Sequence, residues 1–424
     1  MADLSSNFVG ISSPNPFWLA SAPPTDKAYN VYRAFEAGWG GVVWKTLGED
    51  PEPVNVCSRY SVHRDNSGKV LGINNIELIT DRPLAVNLEE IYQTKKDWPD
   101  RALVVSLMVP CEEDSWKRIL QQVEQTGCDG VELNFGCPHG MPERGMGAAV
   151  GQVPEYIEMV TRWCKQHTSL PVIVKLTPNI TNILLPAMAA QSAGADAVSL
   201  INTINSITGI NLDTMTGYPD VGGQFTSGGY CGSAVKPIAL NMVGQISRNP
   251  DTSDLPVSAI GGIGNWKDAA EFIALGAGNV QVCTAAMLYG FKIVEDMIDG
   301  LSRWMDSKGY QNLNAFRGAA VPQLTDWKYL DLNYKTLAHI DPSSCIECGR
   351  CYAACEDTSH QAIAMIPESQ TSRRFEVIDE KCVGCNLCQI VCPVEDCITM
   401  VKQDTGKPYL NWTQHPRNPM AYME

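Results

Sequence analysis

Two runs of cysteine carry the plainest chemistry in this chain. Cys345, Cys348, Cys351 and Cys355 are spaced x2, x2, x3, and Cys382, Cys385, Cys388 and Cys392 repeat that spacing 37 residues later, with Pro393 after the last. Three thiolates so close together hold three irons of one cubane, and the fourth cysteine crosses to the other cluster. Cys345, Cys348, Cys351 and Cys392 are therefore expected to ligate one [4Fe-4S] cluster, and Cys382, Cys385, Cys388 and Cys355 the second. Four-thiolate zinc sites are the alternative, but they rarely come as two such runs. Glu356 rather than proline follows Cys355, and Cys397 is left over. Two clusters imply single-electron relay, not hydrolysis.

Of the 16 cysteines, nine lie between positions 345 and 397 and seven in the first 344 residues. A secreted disulfide scaffold would be shorter and cysteine-dense throughout, so a reduced, cytoplasmic enzyme with a dedicated metal module is expected. The break in composition also marks a domain boundary. The 424 residues are 44% hydrophobic and 19% charged, enough for a sizeable core, which excludes a disordered chain. Against 32 Lys and Arg stand 47 Asp and Glu, and the net charge of −15 argues against a nucleic-acid or anionic-membrane partner. No run of 18 apolar residues is present, so no bilayer span is expected. Ala20-Ser21-Ala22 looks like a signal cleavage site, but Asp3 and two prolines precede it and no basic segment does; export is not expected.

Before residue 315 any site must be gathered from distant positions. Short apolar runs at 17–21, 41–46, 102–108, 130–134, 172–176, 197–201, 257–261 and 279–283 alternate with amphipathic stretches at 28–37, 116–125, 154–166, 183–192, 237–246 and 266–275. Continuous apolar strands alternating with helices mean a parallel sheet covered by helices, and eight such units close an α/β (β/α)8 TIM barrel. A doubly wound open sheet is the structural rival. Residues 47–100 are too many for a βα loop and read as an insertion over the barrel's top face. The expected domains are a barrel at 1–315, a connector at 316–337, a small bacterial-ferredoxin-like two-cluster domain at 338–403 and a polar tail at 404–424.

Barrel enzymes place chemistry at the carboxyl ends of strands. Those ends read Ala20-Ser21, Lys45-Thr46, Asn134, Lys175, Asn202-Thr203, Gly261-Gly262 and Cys283-Thr284. Two lysines there are costly if buried alone, and a bound anion or electron-rich ring would offset the cost. Gly261-Gly262-Ile263-Gly264 after the seventh strand and Thr284 after the eighth suit a backbone phosphate cradle. No G-x-G-x-x-G follows an early strand, so a mononucleotide such as FMN is expected rather than a dinucleotide. Cys137 sits just past the fourth strand in Asn134-Phe135-Gly136-Cys137-Pro138-His139-Gly140. Its flanking glycines permit motion, and an ordinary thiol, with a pKa of about 8.5, is protonated at neutral pH and suits a general acid. Cys57, Cys111, Cys128, Cys164, Cys231 and Cys283 read as small buried hydrophobes, and His139 as a loop-packing side chain.

On these residues the barrel resembles the class I dihydroorotate dehydrogenase fold. Residues 7–403 resemble the FMN-binding and iron–sulfur portion of the dihydropyrimidine dehydrogenase family, including its bacterial stand-alone catalytic subunit. The most specific segments are Leu19-Ala20-Ser21-Ala22, Arg33-Ala34-Phe35-Glu36-Ala37-Gly38-Trp39-Gly40, Asn75-Ile76-Glu77-Leu78-Ile79, and residues 132–147. Lys175-Leu176-Thr177-Pro178-Asn179, Lys236-Pro237-Ile238-Ala239-Leu240 and the double cysteine run complete the likeness.

The resemblance implies that Ala20, Ser21, Lys45 and Lys175 contact the FMN ring, with Lys175 steadying negative charge near N1/O2 of the reduced flavin. It implies that Gly229, Gly232, Gly261, Gly262, Cys283 and Thr284 line the ribityl-phosphate path. Asn75, Asn134, Asn202 and Thr203 would hydrogen-bond the pyrimidine, since an asparagine amide offers the donor and acceptor that a uracil edge needs. Cys137 would be the acid at pyrimidine C5. Gly136 stands where the animal enzyme's loop has serine. The implied activity is reversible reduction of the 5,6 double bond of uracil or thymine, with hydride from FMN N5 to C6 and a proton to C5. NADH would supply electrons through a partner subunit that binds FAD and NAD(H), in a hetero-oligomer. A dihydroorotate dehydrogenase and a non-catalytic electron carrier are the alternatives.

Overall fold

The computed structural model describes residues 2–49, 55–138, 145–358, 360–370 and 372–420. It divides into two units, Met1–Leu324 and Thr325–Glu424. In the first, a hairpin of β1 (Ser6–Phe8) and β2 (Ile11–Ser13) leads to β3 (Phe17–Leu19) and β4 (Gly41–Leu47). A second hairpin, β5 (Tyr60–Arg64) and β6 (Val70–Asn75), precedes β7 (Ala102–Leu107), β8 (Gly130–Asn134), β9 (Val172–Lys175) and β10 (Ala197–Leu200). Short strands β11 (Ile204–Ser206), β12 (Ile210–Asn211), β13 (Thr216–Gly217) and β14 (Gly228–Cys231) lead to β15 (Val257–Ile260) and β16 (Asn279–Val282). Strands β3, β4, β7, β8, β9, β10, β15 and β16 close a barrel in that order, every pairing parallel. These are the eight expected strands, and the open-sheet rival falls.

The helices of this unit are α1 (Ala28–Ala37), α2 (Leu84–Asp97), α3 (Glu113–Glu124), α4 (Ala148–Gly151), α5 (Pro154–His167), α6 (Leu184–Ser192), α7 (Lys236–Arg248), α8 (Trp266–Ala274), α9 (Thr284–Tyr289) and α10 (Ile293–Lys308). Stretch 47–100 needs correcting: α2 is the ordinary helix of the second βα unit. Its buried face carries Asn87 and Thr94 beside Ile91, which breaks the apolar stripe in the sequence. Only β5 and β6 are inserted, and they join β14 and β11 in a four-stranded antiparallel sheet. Among the described residues no helix is long and apolar enough to cross a membrane.

Strand alternation sorts the barrel interior into layers. Trp18, Val43, Ala102, Val104, Ile173 and Ala197 form a lower apolar layer, and Phe8 and Ile11 of the first hairpin pack against it. Phe8 meets the Trp18 ring edge-on at 6.1 Å. Burying each of those two side chains contributes about 1.5–3 kcal/mol. Other strand positions carry Ser106, Glu132, Lys175, Ser199, Ser258 and Gln281, all buried and all polar. The interior therefore changes from hydrocarbon to a hydrogen-bonded floor.

In the second unit β17 (Lys335–Ile340) pairs with β20 (Ile398–Gln403), and β18 (Ile363–Pro367) with β19 (Arg373–Val377), both antiparallel. Helices α11 (Arg350–Glu356) and α12 (Leu387–Val391) lie between them in sequence. Ala338, Ile363, Phe375 and Ile398 make its small core with Cys351, Cys388 and Cys397. The expected connector is divided. Gly318 and Ala320 donate backbone bonds of 2.9 Å to Ile273 and Ala274 in the first unit, while β17 begins at Lys335. The tail returns to its own unit, with Leu332 N donating to Leu410 O at 2.8 Å and the Trp327 and Trp412 rings 6.1 Å apart.

Candidate active site

A large cavity opens at the carboxyl ends of the barrel strands, and every barrel residue singled out from sequence lines it except Gly229. Its space, counting the open mouth, is about 1410 Å³. Gly229 lies behind the wall. Its carbonyl accepts from Asn75 Nδ2 at 2.9 Å, and a Cβ there would stand 2.2 Å from Thr203 Oγ1. This glycine lets β14 pass close to Asn75 and Thr203, which line the cavity.

The two strand-end lysines are held differently. Lys45 Nζ donates to Glu77 Oε1 at 2.5 Å and lies 4.0 Å from Asp26 Oδ2. Glu77 follows β6, and it also accepts from the Tyr60 hydroxyl. Lys175 Nζ lies 3.5 Å from Glu132 Oε1, its one recorded ion pair among the described residues. Lys175 and Gln281 both line the cavity, and Gln281 Oε1 is a buried acceptor without a hydrogen-bond partner. A flavin ring, with its N3–H donor and an anionic edge when reduced, matches that donor and acceptor set. Glu77, Tyr60 and Gln281 were missed in the sequence; a glutamine inside a barrel strand was the available signal.

A hydrogen-bonded row runs along the strand ends. Asn202 Nδ2 donates to Asn134 Oδ1 at 2.9 Å, and Asn134 Nδ2 to Thr46 Oγ1 at 3.0 Å. Thr46 Oγ1 lies 3.1 Å from Ser21 Oγ and 2.9 Å from Ser106 Oγ. Thr203 N donates to Asn202 Oδ1 at 2.8 Å. The row fixes both amides while leaving capacity for an in-plane ligand. Gly136 is wedged against it: a Cβ there would lie 2.5 Å from Asn202 Cβ and 2.6 Å from its Nδ2. Cys137 lines the same cavity, packed with Ile79, Met108 and Met146. Its loop continues through His139 and 140–144, which lie outside the described residues.

At the other end Gly262 adopts φ +73°, and its Cα is so close to Lys236 and to the Gly232 carbonyl that a Cβ would clash at 2.7–2.9 Å. Side chains are thus kept out of this wall, and backbone groups face the cavity, which suits a phosphate. Burial pushes the Cys283 thiol up to about 12 and raises Cys231 as well. Both thiols are therefore held in the protonated form at neutral pH.

In the second unit the thiols group as the crossed pattern requires. One hollow is lined by Cys345, Cys348, Cys351 and Cys392, with Cys397 beside them, and another by Cys382, Cys385, Cys388 and Cys355. Each set of four thiols surrounds a hollow, which fits the separate irons of a cubane. Backbone N–H groups of Glu347 and Ala362 donate to the sulfurs of Cys345 and Cys355 at 3.4 and 3.2 Å.

Known proteins agree with both units. Residues 3–305 match the family described as dihydroorotate dehydrogenase, and residues 338–400 the 4Fe-4S dicluster domain. The chain is 40% identical over 396 residues to the NAD-dependent dihydropyrimidine dehydrogenase subunit PreA of Escherichia coli (strain K12), covering 92% of this chain and 94% of that protein. It is 42% identical over 332 residues to the chloroplastic dihydropyrimidine dehydrogenase (NADP(+)) of Arabidopsis thaliana, covering 76% and 78%. Over 320 residues it is 34% identical to the catalytic subunit of dihydroorotate dehydrogenase B (NAD(+)) of Pyrococcus abyssi, covering 74% and 98%. The crystal structure of a ligand-free DHODH from Eimeria tenella superposes with a TM-score of 0.62 at 19% identity, covering 75% of this chain and 92% of that one, and shows the fold alone.

Proposed function

The chain belongs to the dihydroorotate dehydrogenase family, in its dihydropyrimidine dehydrogenase branch, and from that premise we propose that it reduces the 5,6 double bond of uracil or thymine reversibly. It is an oxidoreductase whose cofactors are FMN and two [4Fe-4S] clusters; FMN supplies the hydride chemistry and the clusters the single electrons. The observation that carries the substrate reading is the Asn134–Asn202 pair beside Thr203 and Cys137 on one wall.

In this reading Ala20, Ser21, Lys45 and Lys175 hold the flavin ring, and Gly232, Gly261, Gly262, Cys283 and Thr284 hold its phosphate arm. The amides of Asn75, Asn134 and Asn202, with Thr203, orient the pyrimidine through its carbonyl and N–H edge. A ligand lacking that edge cannot use the remaining hydrogen-bonding capacity of these amides and binds less well. Cys137 gives its proton to C5, the carbon next to the one that takes the hydride, and recovers a proton from solvent. Cys345, Cys348, Cys351 and Cys392 hold one cluster; Cys382, Cys385, Cys388 and Cys355 hold the other. The Escherichia coli relative is named a subunit and has nearly the same extent as this chain. By the same organisation this chain works with a second chain that binds FAD and takes electrons from NADH.

Replacing Cys137 with alanine tests the proton step. Uracil reduction should fall by about 10²–10⁴-fold, the usual worth of a general acid, while flavin in the variant still reduces. Serine should retain a small residual rate. Near-normal turnover in the alanine variant would remove Cys137 from the mechanism.

A further inference from the structure

We infer that Glu132 is a positioning residue for the flavin reaction: a buried carboxylate that fixes the Lys175 ammonium at the cavity floor and offsets its charge. This rests on the reading of the cavity as a flavin site. Glu132 stands in mid-strand between Val131 and Leu133 on β8, and it has no exposed surface at all. A carboxylate in that position persists only if it is paired and hydrogen-bonded.

Its two oxygens are used differently. Oε2 accepts from Ser199 Oγ on β10 at 2.8 Å and from Gln281 Nε2 on β16 at 3.2 Å. Gln281 Nε2 is itself tied to Ser258 Oγ on β15 at 2.9 Å. Neutral donors from two other strands therefore clamp one oxygen and stop the carboxylate from rotating. Oε1 has no hydrogen-bond partner and lies 3.5 Å from Lys175 Nζ. That oxygen is reserved for the ammonium.

Lys175 and Gln281 reach the cavity wall and Glu132 does not, so any effect of Glu132 on a bound flavin passes through these two side chains, and its charge is felt chiefly through the lysine. Lys45 makes the contrast. Its counter-ion Glu77 is itself on the cavity wall and is shared with Tyr60 and Arg59. Only Lys175 has its charge balanced from inside the barrel, by a group that ligands never touch. With Glu132 ionised the floor is close to neutral beneath an oxidised ring, and the ammonium still steadies the charge gained on reduction. Without that carboxylate the floor becomes more positive, and the reduced form gains.

The test uses the holoenzyme. FMN content is measured first, then the two-electron midpoint potential at neutral pH for the parent, Glu132→Gln, Glu132→Asp and Ser199→Ala. Glu132→Gln should move the flavin reduction constant by about tenfold toward the reduced form, which for a two-electron couple is about 30 mV positive. Glu132→Asp keeps the charge and should recover most of the parent value. Ser199→Ala, at a residue that does not line the cavity, weakens the clamp and should shift the potential in the same direction by less. A fully loaded Glu132→Gln enzyme whose potential is unmoved, even if it melts earlier, overturns the inference. Should that variant not fold, an unmoved potential in Ser199→Ala overturns it instead. A parent protein that binds no FMN would sink the flavin reading, a separate failure.

Discussion

In the C-terminal unit three of the four thiols proposed for each cluster lie within seven residues of one another, whereas the barrel gathers Ser21, Lys45, Asn134, Lys175, Asn202 and Thr284 from six strand ends spread over most of its length. The first arrangement writes its chemistry into local spacing, and the fold need only exchange Cys355 and Cys392. The second has no local signature, because its residues become neighbours only when eight parallel strands close. The same difference separates what a substitution does in each unit. Losing a thiolate removes a cofactor together with part of a core that contains few aliphatic side chains. Losing a barrel wall residue alters chemistry on a scaffold that stands without it.

Breaking the local arrangement should have the largest effect. Cys348→Ala should lower iron from about eight to about four atoms per chain, since each cubane holds four. Reduction of uracil by NADH with the electron-input partner should fall to background. FMN content and bleaching of the flavin by dihydrouracil should persist, because the barrel assembles its own site. Iron analysis with a half-reaction assay decides this, and loss of the half-reaction as well would show that the units are not separable.

Gly136→Ser probes the dispersed arrangement with a smaller expected effect. Its Cβ would press on Asn202, so the amide row must shift. A loss of about 1–3 kcal/mol in transition-state binding, roughly tenfold or more in kcat/KM for uracil, should appear with little change in melting temperature. Unchanged kinetics would mean that Asn202 does not read the substrate.

These outcomes follow where the sequence was legible and where it was not. Strands such as 102–107 and 197–200 were readable because a strand buried on both faces is a continuous apolar run. Helix α2 was hidden by Asn87, whose Oδ1 accepts from Trp44 Nε1 at 3.1 Å and so satisfies a polar group in a buried stripe. The sheet built from β5, β6, β11 and β14 went unseen because its strands are short and its pairings join residues 60–75 to 204–231. Most of the cavity wall was legible from strand ends. The polar floor was not, since Glu132, Ser199 and Gln281 sit inside strands and gain meaning only once the barrel closes around them.

The smallest expected effect concerns the scaffold alone. Burial pushes the Cys128 thiol up to about 12 from the ordinary value near 8.5. A raised thiol contributes stability that is intact below the unfolded value and lost as pH climbs toward the folded one. Between those limits the barrel should lose stability, by about 1–2 kcal/mol from this group at pH 10. Denaturant unfolding across that window should give a flatter profile for Cys128→Ala than for the parent, and coincident slopes would exclude the burial effect.

The central claim is that the barrel mouth performs redox chemistry on a neutral pyrimidine. Anaerobic titration of the purified holoprotein with dihydrouracil, and separately with dihydroorotate, tests it most directly. The account predicts that dihydrouracil bleaches the bound flavin in proportion to FMN while dihydroorotate leaves it oxidised. Bleaching by dihydroorotate alone, or by neither compound in a protein whose flavin dithionite still reduces, would contradict it.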